Sequence, residues 1–323
     1  KPGSTASRKL KDHAITILGQ NSTAKGRAML VEVVRTETDT KLRKNAIFWL
    51  GQTRDEEVLT LLRDLATTST DTEVAKAAVF SISQHQSPRA TAILSELARA
   101  TSSPKIRKEA IFWISQRGGE TSIDELTRIY DADQDTEIRK QIMFALSQLS
   151  SPRARAKLAE VARSNAHIEV RKHAIFWLGQ RGDEQSADEL FGVFDSDRSH
   201  EVRKQVIFAL SQMNNQRAEA RLFETARSGD TPQIRQEAIF WIGQRGSQAA
   251  IDFLAGLYGS EPTVEVKKKI IFAFSQMRSK TALRKLMDIA RSDSSVELRK
   301  EAVFWLGQSN DPEALKFLEE IVK

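Results

Sequence analysis

The stretch Leu298-Arg-Lys-Glu-Ala-Val-Phe-Trp-Leu-Gly-Gln308 occurs ten times in this chain, each time slightly varied. Its first residue recurs at a constant interval, without insertion or deletion. The ten starting residues are Leu10, Leu42, Val74, Ile106, Ile138, Val170, Val202, Ile234, Val266 and Leu298. Because one repeat runs from end to end, the sequence predicts an elongated body in which each repeat packs on its neighbours, without a central core.

Each repeat contains two predicted helices. If a repeat is numbered from its first apolar residue, positions 1, 5, 8 and 9 are apolar, which follows the 3.6-residue period of an α-helix. A capping residue precedes position 1 in almost every repeat, and His167 is the one poor cap. The predicted caps are Ser7, Asp39, Asp71, Ser103, Asp135, Ser199, Thr231, Thr263 and Ser295. Apolar residues at positions 21 and 24 mark a second helix, after a short break such as Arg181-Gly-Asp183.

The repeat resembles a known family. Its pattern, (D/S/T)-x-(E)-(V/I/L)-R-K-x-A-(I/V)-F-(W/A)-L-(G/S)-Q followed by a Leu-rich helix, resembles the short bacterial HEAT repeat of PBS-lyase-like proteins, over residues 7–323. The resemblance implies an all-α fold, a right-handed α-α superhelix (HEAT-repeat solenoid), whose first helices line the concave surface. It also implies that the arginine at position 2 braces the turn between repeats. We expect residues 1–9 to be a flexible lead-in, residues 10–323 to form a single solenoid, and further sequence to precede residue 1.

A second period, twice as long as the first, overlies it. Position 8 holds tryptophan in alternate repeats and Ser81 or alanine in the repeats between them. The tryptophans are Trp49, Trp113, Trp177, Trp241 and Trp305. We expect large and small residues to interdigitate in the core between repeats. The second helices alternate between acidic and basic, which predicts that they neutralise each other along the stack.

Composition restricts the classes of function. The chain has no cysteine, which excludes disulfides and cysteine chemistry, and no apolar run approaches the roughly 18 residues of a membrane span. The five histidines lack metal-ligand spacing, and no phosphate loop or nucleophile motif occurs. We therefore predict no catalytic residue, no metal and no cofactor. The net charge of +6 and the isoelectric point near 9.4 raise the alternative of a nucleic-acid partner.

Three positions of the first helix are candidates for contact with a partner. Phenylalanine at position 7 lies off the apolar face, so a row of rings would floor a groove for a peptide or helix. Lysine at position 3 would form a row that can follow a phosphate backbone. Position 4, which includes His173, varies between repeats and could determine specificity. The candidate binding residues are Lys44, Phe48, Lys76, Phe80, Lys108, Phe112, Lys140, Phe144, Lys172, His173, Phe176, Lys204, Phe208, Phe240, Lys268, Phe272, Lys300 and Phe304.

Each row also has a structural interpretation, which we favour. The phenylalanine rings would pack sideways against the next repeat, because nine exposed rings would promote aggregation. The lysines would pair with acids within helical reach. Glutamine at position 11 of all ten repeats would bond carbonyls of its own turn or the backbone of the next repeat.

The function that the sequence favours is a non-enzymatic scaffold or adaptor that binds a protein or peptide along the concave face. The alternatives are a nucleic-acid-binding HEAT solenoid of the DNA-glycosylase type and a chromophore-lyase-type subunit. We expect a chain that is monomeric or joined to upstream sequence. The resemblance to long bacterial chains suggests the cell envelope as its location, with the cytoplasm as the alternative.

Overall fold

The computed structural model describes residues 5–21, 23–53, 55–164 and 166–323. This part of the chain forms twenty α-helices and no strand. The helices are α1 (Thr5–Gln20), α2 (Ala24–Thr36), α3 (Thr40–Gly51), α4 (Glu56–Thr68), α5 (Thr72–Gln84), α6 (Pro88–Ala100), α7 (Pro104–Arg117), α8 (Gly119–Ala132), α9 (Thr136–Ser147), α10 (Pro152–Arg163), α11 (Ile168–Arg181), α12 (Glu184–Ser196), α13 (His200–Gln212), α14 (Gln216–Ser228), α15 (Pro232–Arg245), α16 (Gln248–Ser260), α17 (Val264–Gln276), α18 (Lys280–Ser292), α19 (Val296–Gly307) and α20 (Pro312–Val322). The prediction of an all-helical fold with two helices in each repeat is confirmed.

The helices belong to two compact units, Lys1–Leu158 and Ala159–Lys323. Within each unit, an odd-numbered helix packs against the odd-numbered helices before and after it, and against the even-numbered helices next to it in the sequence. In the first unit α5 contacts α3, α4, α6 and α7, and in the second α15 contacts α13, α14, α16 and α17. Odd and even helices thus form two layers that bury one face of each odd helix. The single solenoid over residues 10–323 stays a prediction.

The first helix begins earlier than the sequence suggested. Helix α1 starts at Thr5, so residues 5–9, which we expected in a flexible lead-in, are helical, and Ser7 lies inside the helix instead of capping it. Residues 1–4 of the expected lead-in lie outside the described residues.

The other predicted caps are the N-cap residues of odd-numbered helices. At α9, a carboxylate oxygen of Asp135 accepts hydrogen bonds from the amides of Glu137 at 2.8 Å and Ile138 at 3.1 Å. These bonds satisfy amides of the first turn that have no partner inside the helix. His167 caps α11 with one long bond, in which its Nδ1 accepts from the amide of Glu169 at 3.3 Å.

The arginine at position 2 joins segments that are distant in sequence. Arg171 Nε donates to the carbonyl of Ala162 at 3.0 Å, and its guanidinium forms an ion pair with Asp197. Arg107 makes the equivalent bonds in the first compact unit. Each arginine therefore links the end of one even-numbered helix to the turn that follows the next even-numbered helix. This confirms that position 2 braces the turns between repeats.

Glycine at position 10 permits close contact between neighbouring odd helices. A Cβ built on Gly51, the last residue of α3, would lie 2.5 Å from Ser81 Cβ in α5. A Cβ on Gly243 would lie 2.8 Å from Ala273 Cβ in α17, whereas Gly307 has nothing within 4 Å. Three of the small residues at position 8, Ser81, Ala209 and Ala273, are thus each the partner of a glycine in the preceding odd helix.

The even-numbered helices pair through their charges, as predicted. Arg153 on α10 contacts Glu120 at 2.6 Å and Asp124 at 2.7 Å, both on α8. In the second compact unit Arg217 on α14 lies 2.5 Å from Asp188 on α12. Acidic and basic second helices therefore neutralise each other within each compact unit.

Candidate functional site

The open face of the odd-numbered helices carries positions 3, 7 and 11 of each repeat. Residues four positions apart lie one above the other on a helix, as Lys204, Phe208 and Gln212 do on α13. Because odd helices lie side by side in each compact unit, equivalent residues line up across the helices. We call these three sets the lysine row, the phenylalanine row and the glutamine row.

The phenylalanine row and the adjacent tryptophans form an aromatic strip in each compact unit. In the first unit Phe48 and Phe80 stack with ring centroids 6.4 Å apart, and Phe80 lies 4.9 Å from Trp113. In the second unit Phe240 and Phe272 stack at 6.3 Å. These distances are typical of favourable aromatic pairs. The rings therefore pack sideways between repeats, as the structural interpretation of this row predicted.

Sideways packing does not remove the rings from the surface. Phe48 remains 38% exposed and Phe304 remains 54% exposed. The other rings of the row are half-buried: Phe80, Phe112, Phe144, Phe176, Phe208, Phe240 and Phe272. Each ring thus covers one neighbour and leaves another edge exposed, and the groove for a peptide or helix stays a prediction.

The tryptophans lie in the strip and not in the core, so the prediction of a core position is wrong. All five are half-buried. The indole Nε1 of Trp113 donates to Glu109 at 2.8 Å, and that of Trp241 donates to Glu237 at 2.9 Å. Both glutamates occupy position 4, one turn earlier on the same helix. Position 4 therefore orients the indole in these repeats, in addition to any contact with a partner.

The lysine row is largely paired with glutamates across neighbouring helices. Lys44 Nζ lies 2.9 Å from Glu73, and Lys172 lies 2.7 Å from Glu201. The remaining pairs are Lys76 with Glu109, Lys108 and Lys140 with Glu137, Lys204 with Glu237, and Lys268 with Glu297. In the described part of the chain Lys300 is exposed and forms no ion pair.

Pairing changes the acid–base properties of this row. The hydrogen bond from Lys172 lowers the pKa of Glu201 below its ordinary value, and the bond to Glu201 raises the pKa of Lys172. The bond from Lys44 likewise lowers the pKa of Glu73. Because most of its lysines pair with glutamates, the row carries little net positive charge. The lysines are paired, as expected, but mostly with glutamates of the next odd helix, and among the described residues only Lys140 and Lys172 pair with an acid within helical reach.

Position 4 differs chemically along the second compact unit. His173 is half-buried on α11. On α17, Lys269 Nζ lies 4.9 Å from the ring centroids of both Phe240 and Phe272, within the range of a cation–π contact. The variable position therefore changes the charge presented beside a constant aromatic strip.

The glutamine row is exposed at all ten positions, and within the described residues its side chains do not form the backbone hydrogen bonds that we expected. In four repeats the side-chain amide donates instead to the preceding serine at 3.1 Å: Gln84 to Ser83, Gln148 to Ser147, Gln212 to Ser211 and Gln276 to Ser275. Each of these serines donates to the carbonyl of the phenylalanine at position 7. The row is thus free to contact a ligand. We expected a structural role instead, because the glutamine occurs in every repeat.

The described residues contain no group of three or more His, Asp or Glu side chains suited to hold a metal ion. Within the same residues, no helix has the length and apolar character needed to traverse a bilayer.

Comparisons with known proteins agree with this architecture. A family model described as HEAT repeats matches residues 4–83, 27–111, 91–168, 155–239 and 219–297. A model described as PBS lyase HEAT-like repeat matches residues 298–323. A search of curated protein sequences finds no match.

Many solved structures are similar to this chain. Human deoxyhypusine hydroxylase in complex with glycerol is 20% identical, covering 82% of this chain and 97% of that chain, with a TM-score of 0.34. Kap95p, from a study of its binding to RanGDP, is 10% identical over 88% of this chain and 44% of its own, with a TM-score of 0.48. A Kap121p mutant is 10% identical and has a TM-score of 0.51, over 95% of this chain but only 40% of Kap121p. At these identities the similarity concerns the fold alone.

Proposed function

The chain belongs to the HEAT-repeat family, and from this premise we propose that it is a non-enzymatic scaffold that binds a protein partner across the open face of its odd-numbered helices. The aromatic strip is the observation that carries the proposal. Aromatic side chains are enriched in protein–protein interfaces, and tryptophan is among the residues that contribute most to the binding energy. They recur here on every odd helix from α3 to α19.

The charges beside the strip support a protein partner over a nucleic acid. A surface that binds phosphates needs cations free to replace counterions. Most of the lysine row is instead held by glutamates, for example Lys204 by Glu237 at 3.2 Å. The paired lysines and glutamates form a neutral border beside the apolar aromatic strip. Such a border resembles the polar rim of protein interfaces.

The test is site-specific cross-linking in the native host. Benzoylphenylalanine placed at Phe272, in the strip, should give a protein adduct on illumination. The same group at Phe253, which stacks on Phe223 in the layer of even helices, should not. The purified partner should then bind the wild-type chain and lose about tenfold or more in affinity to a Phe240→Ala/Phe304→Ala variant, because aromatic residues dominate such interfaces.

Two results would contradict the proposal. Equal adducts at Phe272 and Phe253 would show that the partner does not bind specifically to the open face of the odd-numbered helices. Tight binding of duplex DNA at about 150 mM salt, with a steep loss at higher salt, would replace the proposal with the nucleic-acid alternative.

A further inference from the structure

An arginine at the end of α7 lacks the acidic partner that its equivalents have. Position 12 of the repeats is arginine at the ends of α7, α11 and α15, as Arg117, Arg181 and Arg245. The Nε of Arg181 lies 3.4 Å from Asp183, and that of Arg245 lies 3.7 Å from Glu219. Within the described residues Arg117 forms no ion pair. Two of the three arginines thus pair with a carboxylate of the chain itself, and the third does not.

The hydrogen bonds of Arg117 leave open the edge of its guanidinium that would face such a carboxylate. Its Nη1 donates to the carbonyls of Ser83 at 2.8 Å and His85 at 3.0 Å. The Nη1 of Arg245 makes the same two bonds to the equivalent carbonyls, so both side chains are held in the same way. In the described part of the chain the Nε and Nη2 hydrogens of Arg117 have no acceptor, and they remain free for a ligand.

The missing partner is a consequence of two differences between repeats. The residue equivalent to Glu219 is Thr91 on α6, and the residue equivalent to Asp183 is Gly119. The next acid along the chain, Glu120, is held by an arginine of α10 at 2.6 Å. The chain therefore supplies a carboxylate to this arginine in the second compact unit and withholds it in the first.

A cavity of about 430 Å³ lies beside Arg117, where α5 and α7 end. Trp113 and the exposed side chains of Gln84 and Gln116 line it together with Arg117 and His85. His85 is only 4% exposed, and its Nε2 has no hydrogen-bond partner within the described residues. The equivalent residues of the other repeats with a small residue at position 8 are apolar: Leu149, Met213 and Met277. The cavity is therefore polar where the equivalent positions are apolar, and Trp113 connects it to the aromatic strip.

We propose that this cavity binds the side-chain carboxylate of an aspartate or glutamate of the protein partner. Asp183 and Glu219 show which group this arginine pairs with in the other repeats. Burial lowers the pKa of Arg117, because partial removal from water disfavours the charged form, yet arginine stays protonated at neutral pH. A carboxylate on the Nε and Nη2 edge would form two charge-assisted hydrogen bonds and offset the cost of this burial.

This inference rests on the proposed function for the source of the carboxylate, which is a protein. The site itself is tested with a small probe, whereas the proposed function is tested by cross-linking at Phe272. The two proposals can therefore fail separately.

The first experiment is an NMR titration of the full chain with nitrogen-15 in its arginines. The signal of the Arg117 Nε–H group is assigned by its loss in an Arg117→Lys variant. The probe is N-acetyl-glutamate N′-methylamide, whose only charge is the side-chain carboxylate, and the control is the glutamine analogue. We expect a saturable shift of the Arg117 signal with the probe. Binding of the control should be about tenfold weaker, since a neutral amide replaces the charged acceptor.

Variants that move the chain's own carboxylate are matched controls. Thr91→Glu copies the pair of Glu219 with Arg245, so the Arg117 signal should be shifted without probe and should no longer respond to it. Thr91→Gln, which has nearly the same shape without the charge, should respond like wild type. Glu219→Thr should expose the equivalent edge of Arg245, whose signal should then begin to respond.

The second experiment measures the affinity of the partner that cross-linking identifies. Thr91→Glu should weaken its binding about tenfold relative to Thr91→Gln, because the site then already holds a carboxylate.

Four results would overturn the inference. They are an Arg117 signal that does not respond to the probe, an equal response to the glutamine analogue, a stronger response to inorganic phosphate than to the probe, and equal affinity of the partner for Thr91→Glu and Thr91→Gln. Each of them would leave the proposed function intact, because adducts at Phe272 do not depend on this cavity.

Discussion

The substitution Gly51→Ala tests whether the stacking of odd helices depends on glycine at position 10. The same substitution at Gly307 is its matched control. Both glycines are the last residues of their helices, α3 and α19, and both precede a glutamine in the right-handed helical region. They differ in what an added methyl group would meet.

The expected change in the free energy of unfolding follows from the surroundings of the two glycines. Replacing glycine by alanine in a helix gains up to about 1 kcal/mol of stability, and somewhat less at a terminal residue. At Gly307 nothing lies within 4 Å, so this gain should appear in full. At Gly51 the new Cβ would lie 2.5 Å from Ser81 Cβ and 2.9 Å from Ser81 Cα. Overpacking of this kind costs about 1–3 kcal/mol, because backbone must move.

We therefore expect Gly51→Ala to lower the free energy of unfolding by about 1–2 kcal/mol relative to wild type. Gly307→Ala should be neutral or stabilising by up to about 1 kcal/mol. Urea denaturation followed by far-ultraviolet circular dichroism measures both midpoints. Equal midpoints for the two variants, or a more stable Gly51→Ala, would refute the claim that this glycine is required by the contact between helices.

Three further predictions concern the arginine brace, the paired charges and the caps. Arg171→Lys should lose about 1–2 kcal/mol in urea denaturation, because lysine cannot bond the carbonyl and the carboxylate together, whereas the exposed Arg198→Lys should change stability by less than about 0.5 kcal/mol. Because the hydrogen bond from Lys172 lowers the pKa of Glu201, this pair stabilises the fold above the ordinary glutamate pKa of 4.5 and loses that contribution as pH falls through the lowered value. A Glu201→Gln variant should thus show a smaller drop in urea midpoint between pH 5 and pH 3 than wild type, and an equal drop would count against the pair. Asp135→Ala should lower the melting temperature through a loss of about 1 kcal/mol, since two amides of α9 lose their acceptor.

Local features of the chain were predictable because they depend on residues close in sequence. The period of apolar residues, the capping side chains such as Asp71, and glycines such as Gly182 in a left-handed turn act within a few residues. Their positions therefore matched the helices. The early start of α1 at Thr5 was missed because that segment carries no stop signal, only a run of small and polar residues.

The candidate binding face was predictable only in part. The helical wheel placed Phe240 and Lys204 off the core, and both are half-buried. The wheel could not show that Trp241 shares the strip or that Gln244 is exposed, because both depend on how closely the next odd helix approaches. The presence of a glutamine in every repeat suggested a structural role. A residue that recurs in every repeat can equally form a continuous exposed row across neighbouring helices.

The sequence alone determined that this protein is a series of helix pairs at a constant period, since periodicity, caps and turn residues are encoded within each repeat. Only the tertiary structure decided which side chains remain open to a partner. Lys172 is neutralised by Glu201 and Phe272 is partly covered by Trp305, each of them on the next odd helix, so neither outcome can be read from one repeat. The physical reason is that exposure and charge on this face are set by contacts between successive helices, whose separation depends on Gly243 and the other glycines at position 10 where neighbouring odd helices meet.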